Sequence, residues 1–406
     1  MKKELLNKTT PIALVAICLS AGCVTASSYG NFPVTEKSYS GSKKNSTSYT
    51  GQMARHVLHN SLKKLAGKGN GKPNPGLKAQ MLSYYSGKDA GRKIIDPTSK
   101  GDFKVKQTMV DQISKGKNLK GKTYKGIVNG FPGQMTGPEV FEFMIDKASS
   151  AKKGFDPLTG YNYPQLISKF MMGAVFYSQA VDNYLDEKLE ADNKPNNKPY
   201  KKGKHYTGKE HVWDEAFGYF GARRDFLSPG DVGDCVDLTS EHNFGWASYA
   251  TKRDNDTENI AYRNGVMFKA DIFNAFVAGR AIIHNEGTVD ELAPHMATIR
   301  TRFEQLCAAN VVHYVHSVLN AMGDLTDASD AMSSESESYN KYWSEMRGFI
   351  ISLQYNVGEV SGGLTSAQLD DIVAAVGTAP KYPSHDGYAT YADDLLSVKT
   401  TLSTIF

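Results

Sequence analysis

Apolar residues recur along this chain at intervals of three and four, with no sustained alternation at two, so the elements the sequence predicts are helices. The clearest run is 164–190, where Leu166, Phe170, Ala174, Tyr177, Val181 and Leu185 draw one stripe along a long helix. Pro164 stands in its first turn, where a missing N–H is harmless, and Asp192-Asn-Lys-Pro-Asn-Asn-Lys-Pro199 ends it. Further helices are predicted over 209–220, 267–284, 339–356, 365–376 and 386–402. A segment from Pro294 to Met322, closed by Gly323, carries Ile299, Phe303, Leu306, Asn310, His313 and Ser317 on one face. At 1.5 Å per residue it would be about 43 Å long, which makes it a central element.

The first half is more broken. Shorter patterns over 51–66, 76–86, 104–117 and 136–150 alternate with stretches such as Gly67-Lys-Gly-Asn-Gly-Lys-Pro73, and 222–265 is one long irregular segment. The expected fold class is all-α, with up-and-down helical bundle(s) forming a single body over 51–406. Ahead of it, Met1-Lys-Lys-Glu-Leu-Leu-Asn-Lys8 is basic and Pro11-Ile-Ala-Leu-Val-Ala-Ile-Cys-Leu19 is apolar. That apolar stretch is far short of the roughly 20 residues that span a bilayer, so 1–22 reads as a lipoprotein signal peptide. Leu19-Ser20-Ala21-Gly22-Cys23 resembles a bacterial lipobox, which implies lipidation of Cys23, with ordinary cleavage near Ala26 as the alternative. Val24 in place of Asp after it implies an outer-membrane lipoprotein, periplasmic or surface-facing. Residues 23–50, rich in Ser, Thr, Gly, Lys and Asn, are expected to be a flexible tether.

Composition sharpens this picture in two ways. With 40% apolar and 22% charged residues over 406 positions the chain can bury a core, which excludes a wholly disordered protein. The formal net charge of +4 hides a division: residues 29–209 hold 31 Lys/Arg against 14 Asp/Glu, and 210–406 hold 13 against 28. The body is therefore a Lys-rich half (51–209) joined to an acidic half (210–406). Among the 31 basic residues only Arg55 and Arg92 are arginine, and lysine is a point charge without the fork that reads bases; nucleic acid is not the expected partner. The Lys clusters at 63–78, 100–125 and 194–209 read either as a solvated surface balanced by the acidic half or as a hold on an anionic partner. With Cys18 removed and Cys23 lipidated, Cys235 and Cys307 remain to form one disulfide in an oxidising compartment, unless Cys307 is simply a buried hydrophobe.

The segment His211-Val-Trp-Asp-Glu-Ala-Phe-Gly-Tyr-Phe-Gly221 carries a family resemblance. Together with Ser48-Tyr-Thr-Gly-Gln-Met-Ala-Arg55, the run from Phe268 to Ile283, the helix from Ile299 to His316 and the run from Trp343 to Asn356, it resembles a bacterial lipoprotein family catalogued as domain of unknown function 4856. The resemblance implies an exported helical protein and brings no activity with it. More distantly the chain is similar to imelysin-like helical-bundle proteins, which are associated with iron acquisition and carry a Gly-x-His-x-x-Glu motif. Here Gly208-Lys-Glu-His211-Val-Trp-Asp214 has one extra residue before the histidine and Asp for Glu, and Gly203-Lys-His205 has the first spacing without the acid.

The residues themselves offer one constellation for chemistry. On a helix, His211 faces Asp214 and Glu215 at three and four residues, and His313 and His316 form a second pair three apart. Imidazole with carboxylate suits a transition metal such as Fe or Zn, and bundle metal sites are built from facing helices. The expectation is a metal site drawn from His211, Asp214, Glu215, His313 and His316; the competing reading makes His211 and Asp214 helix-start residues and His313 a satisfied core polar group. Asp254-Asn-Asp256-Thr-Glu258 begins like a calcium loop but has Asn259 and Gly265 where Gly and Glu are needed. No His-Glu-x-x-His, Gly-x-Ser-x-Gly or phosphate-loop motif occurs. The expected function is a lipid-anchored, metal (iron)-linked binding accessory in uptake at the cell envelope, in contact with the membrane through its anchor and with an envelope transporter or receptor. The alternatives are a metal-free scaffold docking a membrane or polymer partner, and a cell-envelope hydrolase.

Overall fold

The computed structural model describes residues 29, 32–88, 91–95, 108–113, 118–227, 243–256, 264–355 and 362–406. Twelve helices run through these residues: α1 (Thr50–Ala66), α2 (Pro75–Ser86), α3 (Leu119–Lys122), α4 (Gly137–Ser150), α5 (Tyr163–Met171, continuing through Met172–Glu190), α6 (Gly208–Phe220), α7 (Gly245–Asp254), α8 (Phe268–His284), α9 (Val289–Met322), α10 (Ser336–Ser352), α11 (Ser366–Val376) and α12 (Tyr391–Ser403). One short antiparallel pair, β1 (Phe155–Asp156) and β2 (Tyr161–Asn162), is all the sheet among them, and the all-α class holds.

Local chemistry sets the helix limits. Thr207 accepts from the Glu210 N–H while the Glu210 carboxylate accepts from the Thr207 N–H, a capping box that starts α6; Gly221, at φ 89°, ends it in the left-handed conformation. The same device, Thr288 with Glu291, starts α9 five residues before Pro294. Pro294 thus lies inside the helix, and α9 runs 34 residues, about 51 Å. It packs against α8, α10 and α12, while α5 packs against α1, α10 and, through its later part, α6.

The buried side chains form one continuous core, with Trp213, Trp246 and Trp343 fully enclosed. Two close approaches depend on glycine. A side chain at Gly279 of α8 would overlap the Trp213 ring, whose Nε1–H donates to the Phe276 carbonyl at 2.9 Å, and one at Gly348 of α10 would overlap the Lys169 stem.

Four expectations change. The irregular segment 222–265 contains α7, which buries Trp246, Ala247, Tyr249 and Ala250. From Met172 to Glu190 the hydrogen bonding of α5 widens to the π type, with apolar residues buried around it rather than on one stripe. Of the helix expected over 104–117, only 108–113 lie within the described residues, and they form one short turn at Val110–Gln112. The tether expected over 23–50 is, in its later part, packed structure: Tyr29, Ser46, Thr47 and Tyr49 are buried, and Pro33 bridges Asn45 to close a hairpin over 33–45. Thr35 and Ser46, which read as solvated linker, instead donate their hydroxyls to Glu210 in the body. Cys23 and Cys235 lie outside the described residues. Cys307 is buried and its Sγ donates to the Phe349 carbonyl at 3.3 Å, as its apolar surroundings require of an unionised thiol.

Candidate functional site

Around α6 the N-terminal segment, α6 and α8 enclose a cluster of charges with no exposure to solvent. Arg280 of α8 donates from Nε to Asp214 Oδ1 at 3.0 Å, from Nη1 to Glu210 Oε1 at 2.8 Å and from Nη2 to Ser46 Oγ at 2.6 Å, and its guanidinium lies 4.7 Å from the Phe32 ring centre. Each carboxylate is completed by the N-terminal segment. The Tyr29 hydroxyl donates to Asp214 Oδ1 at 2.9 Å, the Ser48 N–H to Asp214 Oδ2 at 2.8 Å, and the Thr35 hydroxyl to Glu210 Oε2 at 2.7 Å. Burial raises Asp214 above the ordinary carboxylate range against the pull of Arg280, and it raises the Tyr29 hydroxyl too, with the Asp214 charge adding to it. Burial opposes the Arg280 charge, but Asp214 and Glu210 more than offset it, so the guanidinium stays charged. Sequence reasoning missed Arg280 and Glu210, although the signals were there: a lone arginine in the apolar run 268–283, and Thr207-x-x-Glu210 ahead of one.

This cluster decides the fate of the expected metal ligands. Adjacent helical positions point about 100° apart. Asp214 therefore faces Arg280, while Glu215 faces α1, where its Oε1 accepts from Gln52 Nε2 at 2.7 Å. His211 Nε2 lies 3.7 Å from Glu215 Oε2, and its ring stacks on Tyr206 with centroids 4.9 Å apart. Burial works against the Glu215 charge, yet His211 and the Gln52 amide hold it below its ordinary value. On α9, His313 Nδ1 donates to Asp256 Oδ2 at 2.9 Å, and the same oxygen accepts from Arg253 Nη1 at 2.9 Å. Burial and the Arg253 charge lower His313 and keep it neutral. The five expected ligands thus divide into His211 with Glu215, Asp214 in the arginine cluster, and His313 and His316 on α9; α6 meets α9 through Phe220 and Phe303, at the far end of α6 from His211. Among the described residues no group of three or more His, Cys, Asp or Glu could hold a metal ion. The calcium-loop start is also spoken for: Asp254 accepts from the Phe268 and Lys269 N–H groups at the start of α8, and Asp256 is paired as above.

The surface beside His211 is built from two hairpins. Bridges at Pro33–Asn45 and Pro199–Thr207 close them, and their tips lie side by side, with the Tyr39 and His205 rings 5.3 Å apart. His205 meets Tyr206 at 4.7 Å, and Tyr200 meets His211 at 4.3 Å, so five rings form a continuous, largely half-buried patch. Lys37, Lys43, Lys44, Lys198, Lys201, Lys202 and Lys204 are exposed around it. Next to the patch a polar cleft of about 350 Å³ opens between the first hairpin and the end of α8, lined by Thr35, Glu36, Asn196, Thr207, His284 and Glu286 among others.

A family model described as Domain of unknown function (DUF4856) matches residues 144–378, more than half of the chain, and the chain belongs to that family. No curated protein and no solved structure matches it. Among the described residues no helix is long and apolar enough to cross a membrane.

Proposed function

For this member of the family we propose a binding role at the cell envelope: an exported, lipid-anchored, non-catalytic protein that holds an anionic, hydroxyl-rich polymer on the paired hairpin tips. The observation that carries this reading is the joining of flat rings with lysines at 37–44 and 198–206. Half-buried aromatic faces accept the apolar faces of sugar rings at little cost in side-chain entropy. Exposed lysines supply long-range attraction to a polyanion without demanding a fixed geometry. The neighbouring cleft adds amide, hydroxyl and carboxylate groups that suit ligand hydroxyls. The buried Arg280 cluster makes the first hairpin a rigid part of this face.

The test is retention of the full-length protein on an immobilised acidic polysaccharide, with neutral dextran as control. Retention on the acidic polymer, reduced by salt because exposed charges are screened beyond about 10 Å at 0.1 M, is the expected result. Replacing Lys201, Lys202 and Lys204 together by Gln should abolish it, whereas Lys72→Gln should not. Equal retention of the two polymers, or an unaffected triple variant, overturns the reading. Stoichiometric iron or zinc in the purified protein, lost in His211→Ala, would favour the metal-linked role through the His211–Glu215 pair instead.

A further inference from the structure

A second concentration of charge lies elsewhere in the fold, where α1, α5, α7 and α10 meet. Its floor is the buried pair Lys169–Glu345, with Nζ to Oε1 at 3.3 Å. Lys169 also lies 5.1 Å from the Tyr249 ring centre, and Lys252 sits 4.8 Å from that same centre. Two ammonium groups thus share one ring, and one carboxylate faces them. Lys63 of α1, half-buried, and Lys341 of α10, exposed and 5.4 Å from the Tyr342 ring centre, lie beside them, near enough for the Lys169, Lys252 and Lys341 charges all to act on Lys63. Arg253 and Asp256 beside it are paired with each other and with His313, so they leave the surplus unchanged.

We propose that Lys63, Lys252 and Lys341, converging above the Lys169–Glu345 floor, form a binding site for a small oxyanion of the phosphate class, either inorganic phosphate or a phosphate monoester.

Charge and the kind of donor both lead to this class of ligand. Glu345 balances one of four lysines, so a compact dianion would neutralise most of what remains. The donors are ammonium groups approaching from four helices, which suits a tetrahedral oxyanion better than the planar carboxylate that an arginine fork would select. Their exposure is graded, with Lys169 buried at the floor, Lys63 half-buried, and Lys252 and Lys341 exposed. Lys63 reports the unmet charge. Burial and then the Lys169 ammonium lower it to about 7, with Lys252 and Lys341 adding to the fall and Glu345 opposing it. The Lys63 charge also acts on His59 of the same helix, and burial keeps His59 neutral. Near neutral pH, Lys63 is therefore partly deprotonated in the empty site, and an arriving anion restores its proton. Binding and proton uptake are coupled.

Calorimetric titration of the full-length protein with inorganic phosphate and, separately, with glycerol phosphate tests the site at pH 7.5, in buffers of different ionisation enthalpy. The expected result is one site per chain with uptake of a fraction of a proton. Lys252→Gln and Lys341→Gln, both at exposed positions, should each weaken binding about tenfold, the effect of one unit of lost charge interaction. Lys63→Gln should weaken it and abolish the proton uptake, with its melting temperature measured to confirm folding. Tighter binding of glycerol phosphate identifies a monoester as the ligand, and equal or weaker binding identifies the free anion. No saturable binding of either compound overturns the proposal, as does an equal loss in the distant Lys72→Gln variant, which would mark the effect as diffuse surface charge.

Discussion

Arg280→Met isolates the buried charge cluster that joins the N-terminal segment to the body. Methionine keeps the apolar stem and removes the guanidinium, leaving Asp214 and Glu210 enclosed without their arginine partner. Removing one partner of a buried ion pair costs about 3–5 kcal/mol, because the desolvated charge is left uncompensated. The hydroxyl and N–H donors from Tyr29, Thr35, Ser48 and Thr207 survive the change, so they limit the damage without supplying charge. The pH dependence follows with a definite sign. Burial already raises Asp214 against the pull of Arg280, and without Arg280 that carboxyl group should titrate further above its unfolded value. The folded variant then binds a proton that the unfolded chain does not, and its deficit relative to wild type shrinks as pH falls, by about 1.4 kcal/mol per unit while Asp214 titrates. Urea unfolding followed by circular dichroism at pH 8 and pH 5.5, read as the difference between variant and wild type, measures this directly. Arg280→Met combined with Asp214→Asn and Glu210→Gln should regain most of the loss at both pH values, since no buried charge remains. A loss below about 1 kcal/mol, or one that does not change with pH, would refute the reasoning.

Two further outcomes test the core. His56, stacked on Phe176 with centroids 4.0 Å apart and with Nε2 3.1 Å from the Gly218 carbonyl, is lowered by burial to about 3. Its contribution to stability is complete above the unfolded value near 6.5 and is lost as pH falls below it, by about 2 kcal/mol at pH 5. Urea unfolding at pH 7.5 and pH 5 should show His56→Gln removing that part of the acid sensitivity, while His59, lowered in the same direction, keeps the rest. Cys307 should resist thiol reagents in the native protein, because burial raises its thiol well above the ordinary value, and should react at once in denaturant. A native chain that labels readily at Cys307 would contradict its enclosed position.

Helices were legible in the sequence because their apolar periods are long and regular; what escaped was set by features without period. α7 is ten residues with apolar positions on most sides, so no stripe marks it, and it becomes a helix by packing Trp246 against α5, where its Nε1–H donates to the Met172 carbonyl. Residues 32–49 read as linker because their Ser and Thr content matches that of a disordered segment. Their role depends on Arg280, Glu210 and Asp214, more than 160 positions away, and no local pattern carries that information. His211, Asp214 and Glu215 illustrate the same limit. Their spacing places them within one turn of a helix, but it does not reveal that Asp214 already has a cation in Arg280. A histidine–carboxylate spacing is therefore a statement about one helix, and a metal site is a statement about its neighbours.

The docked N-terminal segment also constrains the proposed anchor. If Cys23 carries lipid, the five residues 24–28 separate it from Tyr29, which is buried against Phe217 with ring centres 3.7 Å apart. An extended chain advances at most about 3.6 Å per residue, so the body would be held within about 20 Å of the bilayer surface instead of ranging over the reach of a 28-residue tether. From Tyr29 the segment follows α6 towards its start, reaching Glu210 through Thr35 and His205 through Tyr39. The segment thus leads from Tyr29, next to the proposed anchor, along α6 to the lysine-fringed tips. The Lys169–Glu345 site belongs to the junction of four other helices, where Lys169, Lys252, Lys341 and Glu345 all fall within the family match and Lys63 falls before it. Loss of polymer retention and loss of oxyanion binding should accordingly be separable, each by lysine substitutions that leave the other intact.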